Sequence, residues 1–488
     1  MTDDSRDSSG RLTKHVFLEF RKCGRRGWLL HHPVEAREAL GLGEQFRLAQ
    51  GNAVGDVARQ MLGPGADLRG PATAAWIEET RSVLSTPEPA NVYEAPIAAG
   101  SAVARPDAII REPGWCVIEV KSAKNEKDEY VDDLAYTVAV AQAAAFAVTG
   151  AELALVNAEW RVDNDRPALV RLDVTEGVLA RAAEFASLLE PAYRTISAAD
   201  APPAELKAAC RGCEFFRTRC FETGLDDPVF ELPRIVSKRV DDLIATGITR
   251  ISEVPDGERL SPLQQFHRRA VLEGALVTEP AGFGGLAAMR APVGYLDFET
   301  LSLALPPFVG MAPYDIIPIQ YSLHRRTPTG ALEHRELLLD PLAPDIEQFT
   351  MHLLESLAGL ESIVVYSAFE RSRLRWLAER IPRLAGELEG VVGRLVDLLP
   401  IVQGAVAHPN FHGSLSIKKV LPVLVPDLSY LGLAIGNGDD AMGVVGLRAM
   451  GRVADDEWAR YRGQLLEYCA VDTLAMVRLH EALAALAK

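Results

Sequence analysis

Inside an apolar run, GYLDFET at residues 294–300, two acids stand two positions apart, Asp297 and Glu299. Successive side chains of a strand point to opposite faces, so in a strand both acids share one face and Phe298 takes the other. Like charges side by side are unfavourable unless something positive sits between them. A chain that folds with this strand inside must therefore bring a cation to it. Two further acidic patterns fit the same requirement. Tyr468 and Asp472, in the amphipathic stretch LLEYCAVDTLAMVRLHEAL (465–483), are four apart and share a helix face. In ESIVVYSAFERSRLRWLAERIP (361–382), a buried strand IVVYS runs into a helix that starts near Glu370.

The chain has 488 residues, enough for about three domains at roughly 150 residues each. The opening MTDDSRDSSG is acidic and polar, so no signal peptide is expected there. The most apolar stretch, residues 134–156, is interrupted by Gln142, Gly150 and Glu152. It reads as a buried helix running into the next element, not as a membrane span, and a cytoplasmic protein is expected. The net charge of −16 excludes a generally basic nucleic-acid binder. Contacts to phosphates would need local basic patches: residues 11–26, residues 234–239, and Lys418 with Lys419.

Residues 104–123, ARPDAIIREPGWCVIEVKSA, read as a hairpin with REPG as its turn. Glu119 and Lys121 share a face by period two, and Asp107 opens the partner strand beside Glu119. Two carboxylates offer hard oxygen ligands to a divalent cation. A lysine next to them can orient the attacking water and stabilise charge on a phosphate.

The six cysteines are uneven. Cys116 and Cys469 sit in apolar runs and read as core residues. Cys210, Cys213 and Cys220 cluster in CRGCEFFRTRC, and Cys23 is the available fourth ligand. Four thiolates suit tetrahedral zinc and a 4Fe–4S cluster alike.

Pro106-Asp107 followed by Glu119-Val120-Lys121 resembles the PD-(D/E)XK nuclease superfamily. Its RecB-like branch adds a helix with Gln-x-x-x-Tyr. Gln142 stands at the glutamine, with Phe146 at the tyrosine position. Some members of that branch hold a 4Fe–4S cluster with one early cysteine and a late triplet, the layout of Cys23 and Cys210, Cys213 and Cys220. The resemblance implies the iron–sulfur cluster rather than zinc, and places Glu94 near the metal.

The pieces around Asp297 resemble the DEDD family, the DnaQ-like 3′–5′ exonucleases with an RNase H-like fold. That resemblance implies Asp297, Glu299, Glu370 and Asp472 as ligands of two Mg²⁺ or Mn²⁺ ions and Tyr468 as the residue that positions water. Glu370 stands where the family has aspartate, and Ser367 sits near the usual asparagine. Asp397 is an alternative ligand, His408 and His412 are loop histidines that could bind metal, and Lys418 suits a phosphate contact. Residues 289–450, through YLDFETLSLALPPFVGMAPYDIIPIQYSLH and GSLSIKKVLP, are similar to the family called domain of unknown function 2779.

The expected fold is therefore α/β: a restriction-endonuclease-like PD-(D/E)XK domain at 1–225, a helical connector at 226–288, and an RNase H-like DEDD exonuclease domain at 289–488. The connector stretch 239–255 resembles a helix-hairpin-helix that turns at Gly247. The expected function is metal-dependent phosphodiester hydrolysis at two sites, on DNA in preference to RNA, with no membrane partner. The alternative is a nucleic-acid-binding scaffold in which one or both sites are inactive and the cluster is structural or redox-sensing.

Overall fold

The computed structural model describes residues 10–33, 39–70, 73–86, 88–111, 114–222, 224–327 and 329–488. The polar opening at residues 1–9 and the middle of the REPG turn, Glu112 and Pro113, lie outside the described residues. The fold is mixed α/β and divides into two compact units. One comprises residues 1–40, 44–204 and 302–315, the other residues 41–43, 205–301 and 316–488. Among the described residues, no helix is long and apolar enough to cross a membrane.

The first unit runs α1 (Lys14–Lys22), α2 (Gly24–His31), α3 (Leu42–Leu62), β1 (Ala66–Asp67), α4 (Ala74–Ser85), β2 (Asn91–Tyr93), β3 (Ile97–Ala99), β4 (Ala102–Ala104), β5 (Ala108–Arg111), β6 (Trp115–Lys121), α5 (Asp128–Ala143), β7 (Val148–Val156), β8 (Leu169–Asp173) and α6 (Thr175–Ile196). Its sheet has the order β1-β2-β5-β6-β7-β8. β5 and β6 pair antiparallel, as the hairpin pattern requires, and β6 and β7 pair parallel across α5. The apolar stretch 134–156 thus resolves into the buried length of α5 and then β7. Leu134 to Ala141 are buried on every side of the helix, which packs on β6, β7, α1 and α6. A helix apolar all round belongs in a core, and here the core is large enough to hold it.

α1 starts from a fixed point. Thr13 caps it by accepting from the Val16 amide at 3.4 Å. Leu12 sits in a bridge with Ala102, and its carbonyl accepts from Tyr136 Oη at 2.6 Å. That anchorage decides where Lys14, two residues on, can reach.

The second unit contains α7 (Ser237–Ala245), α8 (Pro262–Glu273), β9 (Val277–Thr278), β10 (Val293–Leu301), β11 (Ile317–Arg326), β12 (Leu332–Leu338), α9 (Ile346–Ser356), β13 (Ser362–Val365), α10 (Phe369–Arg380), α11 (Ala385–Val392), β14 (Leu395–Asp397), α12 (Leu398–Ala405), β15 (Val406–Ala407), α13 (Ile417–Leu424), α14 (Gly438–Ala449) and α15 (Asp455–Leu486). The sheet order is β12-β11-β10-β13-β14. β10 pairs antiparallel with β11 and parallel with β13. Leu296 and Phe298 enter a core with residues of α9, α10 and α11. The opposite face, with Asp297 and Glu299, is the one left to α14 and α15, which also pack on β10.

The helix-hairpin-helix expected over 239–255 is not formed. α7 ends at Ala245, Gly247 takes φ 88° as its left-handed stop, and Ile251–Glu253 make one 3₁₀ turn where the second helix was expected. Pro255, directly after that turn, leaves Val254 extended.

Candidate metal centres

The first centre lies on the β5–β6 pair. Asp107, just ahead of β5, accepts from the Val120 amide at 2.6 Å through Oδ2. Glu119 and Lys121 project from one face of β6, both buried. Lys121 Nζ donates to Glu119 Oε1 at 2.9 Å and to the Asp133 carboxylate of α5. Lys14 Nζ donates to the same Glu119 oxygen at 2.7 Å. One carboxylate oxygen thus receives two ammonium groups. Glu119 Oε2 is buried without a hydrogen-bond partner. An orphaned buried carboxylate oxygen costs free energy unless an ion or water meets it.

The charges separate accordingly. Burial and the Glu119 charge push Asp107 up to about 7. Burial works against the Glu119 charge too, but Lys121 and Lys14 overcome it and hold Glu119 at about 2. Glu94, at φ 53°, donates its amide to the Asp107 carbonyl at 3.2 Å and lies 3.5 Å from Arg59. With Asp107, Tyr93, Arg59 and Ser122 it lines a cavity of about 40 Å³. That volume exceeds what one water needs. Glu94, expected near the metal, is therefore beside Asp107.

Gln142 is not brought to this centre by its helix. It is exposed in the last turn of α5, which ends at Ala143, so Phe146 falls beyond the helix. Asp133, the residue of α5 that reaches Lys121, is nine positions earlier, about 13 Å along the axis. Tyr130 comes too, its ring 5.4 Å from Lys121 Nζ.

The second centre lies on β10, α10 and α15. Ligand atoms of Asp297, Glu299 and Cys469 fall within 4.8 Å of one another. Glu370, in the first turn of α10, is buried, and its Oε2 has no hydrogen-bond partner. It arrives there through Ser367, which turns the chain from β13 into α10 at φ 147° and accepts from the Phe369 amide at 3.1 Å. Such backbone strains a non-glycine residue by about 1–3 kcal/mol. Asp472 on α15 accepts from Tyr430 Oη at 2.6 Å, and Tyr468 Oη accepts from Lys418 Nζ at 2.7 Å.

Every carboxyl here is pushed up. Burial, then Asp472, Glu370 and Glu299, raise Asp297 well above the ordinary range. Burial and Asp472 lift Glu299 to about 8, and burial lifts Glu370 to about 7. Burial raises Asp472 as well. Asp397 lies at the end of β14, close enough to raise Glu370, while its own oxygen caps α12 through the Leu399 amide at 2.9 Å. His408 and His412 stand apart from the carboxylates, on a loop ahead of α13. His408 accepts from the Asn410 amide, and His412 pairs with Glu231 at 2.9 Å.

Cys116 is a buried core residue, as its apolar run implies. Cys469 is buried as well, as its apolar run implies, and its thiol also lies 3.7 Å from Asp297 Oδ2. Its position three residues before Asp472 on α15 puts both on one face and was the available signal. Lys14 carried only the mark of a basic stretch, Asp133 no mark beyond its place on a helix. Tyr430 reaches Asp472 from a loop 42 residues away, a contact no local pattern announces.

Cys23 joins α1 to α2 in the first unit. Cys210, Cys213 and Cys220 belong to the second, Cys210 on a 3₁₀ turn, Cys213 in the loop after it and Cys220 at the end of a π turn. Arg211 fixes this loop by donating to the carbonyls of Phe230 and Ile235. A zinc tetrahedron with 2.3 Å bonds needs sulfurs about 3.8 Å apart. Among the described residues, no three cysteine sulfurs come within 4.8 Å of one another.

The segment that carries most of the second centre is the part that comparison identifies. Residues 294–416 match the model of a domain of unknown function, DUF2779. The DUF2779 segment holds Asp297, Glu299, Glu370 and Asp397 and stops short of Lys418, Tyr468 and Asp472. The chain is similar to an uncharacterized protein of Mycoplasma pneumoniae, the MG366 homolog, at 29% identity over 205 residues, 38% of this chain and 31% of the relative. It is similar to the uncharacterized protein UU173 of Ureaplasma parvum at 26% identity, over 39% of this chain and 31% of the relative. The match thus spans about a third of these relatives' length. The crystal structure of SSO0001 matches at 17% identity over 42% of this chain and 97% of that one, with a TM-score of 0.15, too low for any argument from fold.

Proposed function

We propose that this protein is a metal-dependent nuclease with two phosphodiester-hydrolysing centres, acting on DNA in preference to RNA. The observation that carries the proposal is the second centre. Asp297 and Glu299 lie together within 4.8 Å with Cys469, Asp472 and Glu370 raise the Asp297 carboxyl, and Glu370 Oε2 is buried and unpartnered. Such a set is stable when protonated or when a cation meets it. At neutral pH the donors suit Mg²⁺ or Mn²⁺, which take oxygen ligands. Ions bound there supply Lewis-acid stabilisation of a phosphodiester and a nucleophilic water. Asp297, Glu299, Glu370 and Asp472 would hold them. Tyr468, anchored by Lys418, would orient the water, and Tyr430 fixes the rotamer of Asp472.

The strand order β12-β11-β10-β13-β14, with the acid pair on the central strand, supports the RNase H-like DEDD assignment. The antiparallel β5–β6 pair with Asp107, Glu119 and Lys121 supports the PD-(D/E)XK assignment. In that centre Asp107 and Glu119 would hold the ion, and Lys121 would face the phosphate. The thiols of Cys23, Cys210, Cys213 and Cys220 are the donors expected for a 4Fe–4S cluster.

The test is cleavage of end-labelled DNA and RNA, single- and double-stranded, by anaerobically purified protein with Mg²⁺ or Mn²⁺. Wild type runs beside Lys121→Ala, Asp297→Ala and the double variant. Partial loss in each single variant and full loss in the double supports both centres. Binding without cutting under every metal rejects the nuclease and leaves a scaffold.

A further inference from the structure

The segment from His408 to Lys419, the loop ahead of α13 and the first turn of α13, lines two cavities in the second unit. One, of about 500 Å³, is lined by His408, Asn410, His412, Lys418 and Lys419 and has no carboxylate in its wall. The other, of about 410 Å³, is bounded by Pro233, Arg234, Tyr366, Leu415 and Ile417. In a chain of net charge −16, two lysines, Lys418 and Lys419, line the first of these cavities. Lys419 is exposed and has no ion-pair partner among the described residues. His412 is offset by Glu231, at 2.9 Å.

The loop is held in shape. Gly413 takes φ 71°, and a Cβ there would run into the Glu231 backbone. Tyr366 Oη donates to the Leu415 carbonyl at 2.6 Å, tying the loop to the end of β13, one residue before Ser367. From the basic side, Lys418 reaches Tyr468 at 2.7 Å, one helical turn from Asp472. Lys418 thus both lines the basic cavity and touches Tyr468 of the second centre, and the other cavity is walled mainly by carbon.

We propose that the basic trough of His408, His412, Lys418 and Lys419 is a binding site for the sugar–phosphate backbone of a single nucleic-acid strand, and that the Tyr366–Leu415 cavity receives one of its unpaired bases. This rests on the nuclease reading of the second centre. Cations that track phosphates next to an apolar cavity are what a single strand requires, because its bases are free to turn out of the stack. A duplex keeps its bases paired and could use the lysines alone.

The experiment uses the full chain in two forms. Asp297→Asn protein is photo-crosslinked, in EDTA, to a 20-nucleotide single strand carrying 5-iodouracil, and the adducts are mapped. Adducts in residues 408–423 or on Tyr366 are expected, and their complete absence there overturns the site. In a Lys121→Ala background, Lys419→Glu should lower kcat/KM on a 20-mer about tenfold at low salt, through KM, and reduce the salt slope of binding by about 1. The loss should shrink as the strand is shortened to one nucleotide. A loss independent of length, or none, overturns the proposal. Hydrolysis of the p-nitrophenyl ester of thymidine 5′-phosphate by the Lys121→Ala parent reports the carboxylate centre by itself. If that is absent while cross-links fall in 408–423, the nuclease reading fails and the strand site stands.

Discussion

The two carboxylate centres solve the same electrostatic problem in opposite ways. Around Glu119 the chain supplies its own cations, Lys14 and Lys121, both on one oxygen, and Glu119 stays ionised at about 2. Around Asp297 four acids converge, Lys418 bonds to Tyr468, and every one of the acids is pushed up. A carboxylate pushed down is a stabilising partner, whereas a carboxylate pushed up is a strained one that a divalent ion would relieve. Glu119 is balanced by the chain's own lysines, whereas the Asp297 set would be relieved by a divalent ion.

The sharpest way to break this comparison is to remove one charged group from each. Lys121→Ala leaves Glu119 with one cation fewer and Asp133 with none from β6, so stability should fall by about 3 kcal/mol, the scale for breaking a buried pair. Asp297→Ala removes a member of a repelling set, so in EDTA the melting temperature should hold or rise. Both variants should lose the activity of their own centre by about 10³-fold or more. If both melt lower in EDTA by the same amount, the two centres do not differ in the way their charges imply.

The pH dependence of Glu299 and Glu119 has opposite signs for the same reason. Glu299 is raised to about 8, so between its unfolded value near 4.5 and pH 8 the folded chain holds a proton that the unfolded chain has lost. Its contribution is present below about 4.5 and is lost as pH rises toward 8. Asp107, at about 7, acts in the same direction. Glu119 is depressed, so its contribution is present above about 4.5 and is lost as pH falls toward 2. Metal-free protein should therefore melt several degrees lower at pH 8 than at pH 5.5. Glu299→Gln should flatten that slope and saturating Mg²⁺ should cancel much of it. A slope that Glu299→Gln leaves unchanged assigns it elsewhere.

How much of this was legible in the sequence follows from what each contact spans. Asp297 with Glu299, Glu119 with Lys121, and Tyr468 with Asp472 are pairs within one element, where period two or four fixes the face. Asp107 beside Glu119 needed one hairpin and was equally readable. Lys14 to Glu119 spans 105 positions and Tyr430 to Asp472 spans 42, and neither is encoded by any local period. The end of α5 just after Gln142 was not readable, because the apolar run 134–156 hides the stop at Ala143. The second helix after Gly247 was over-read because a glycine stop looks the same whether a helix or a 3₁₀ turn follows.

Lys14 sharpens the contrast most finely. Burial would lower its pKa, but Glu119 and Asp133 outweigh that and raise it, so it stays an ammonium ion at physiological pH. It stands 2.7 Å from Glu119 Oε1, on the carboxylate whose other oxygen, Oε2, is buried and unpartnered. An ammonium at that distance competes with the ion for Glu119, and Lys121, 2.9 Å away, remains to face a phosphate. Lys14→Gln should therefore tighten Mn²⁺ binding at the first centre several-fold, read by Mn²⁺ EPR in an Asp297→Ala background that silences the second. Stability should fall by about 1 kcal/mol, because Lys121 still pairs with Glu119. The two effects have opposite signs, which separates competition from support. Weaker Mn²⁺ binding in Lys14→Gln would make Lys14 a support that orients Glu119 for the ion, and the first centre would then depend on its lysines and on the metal together.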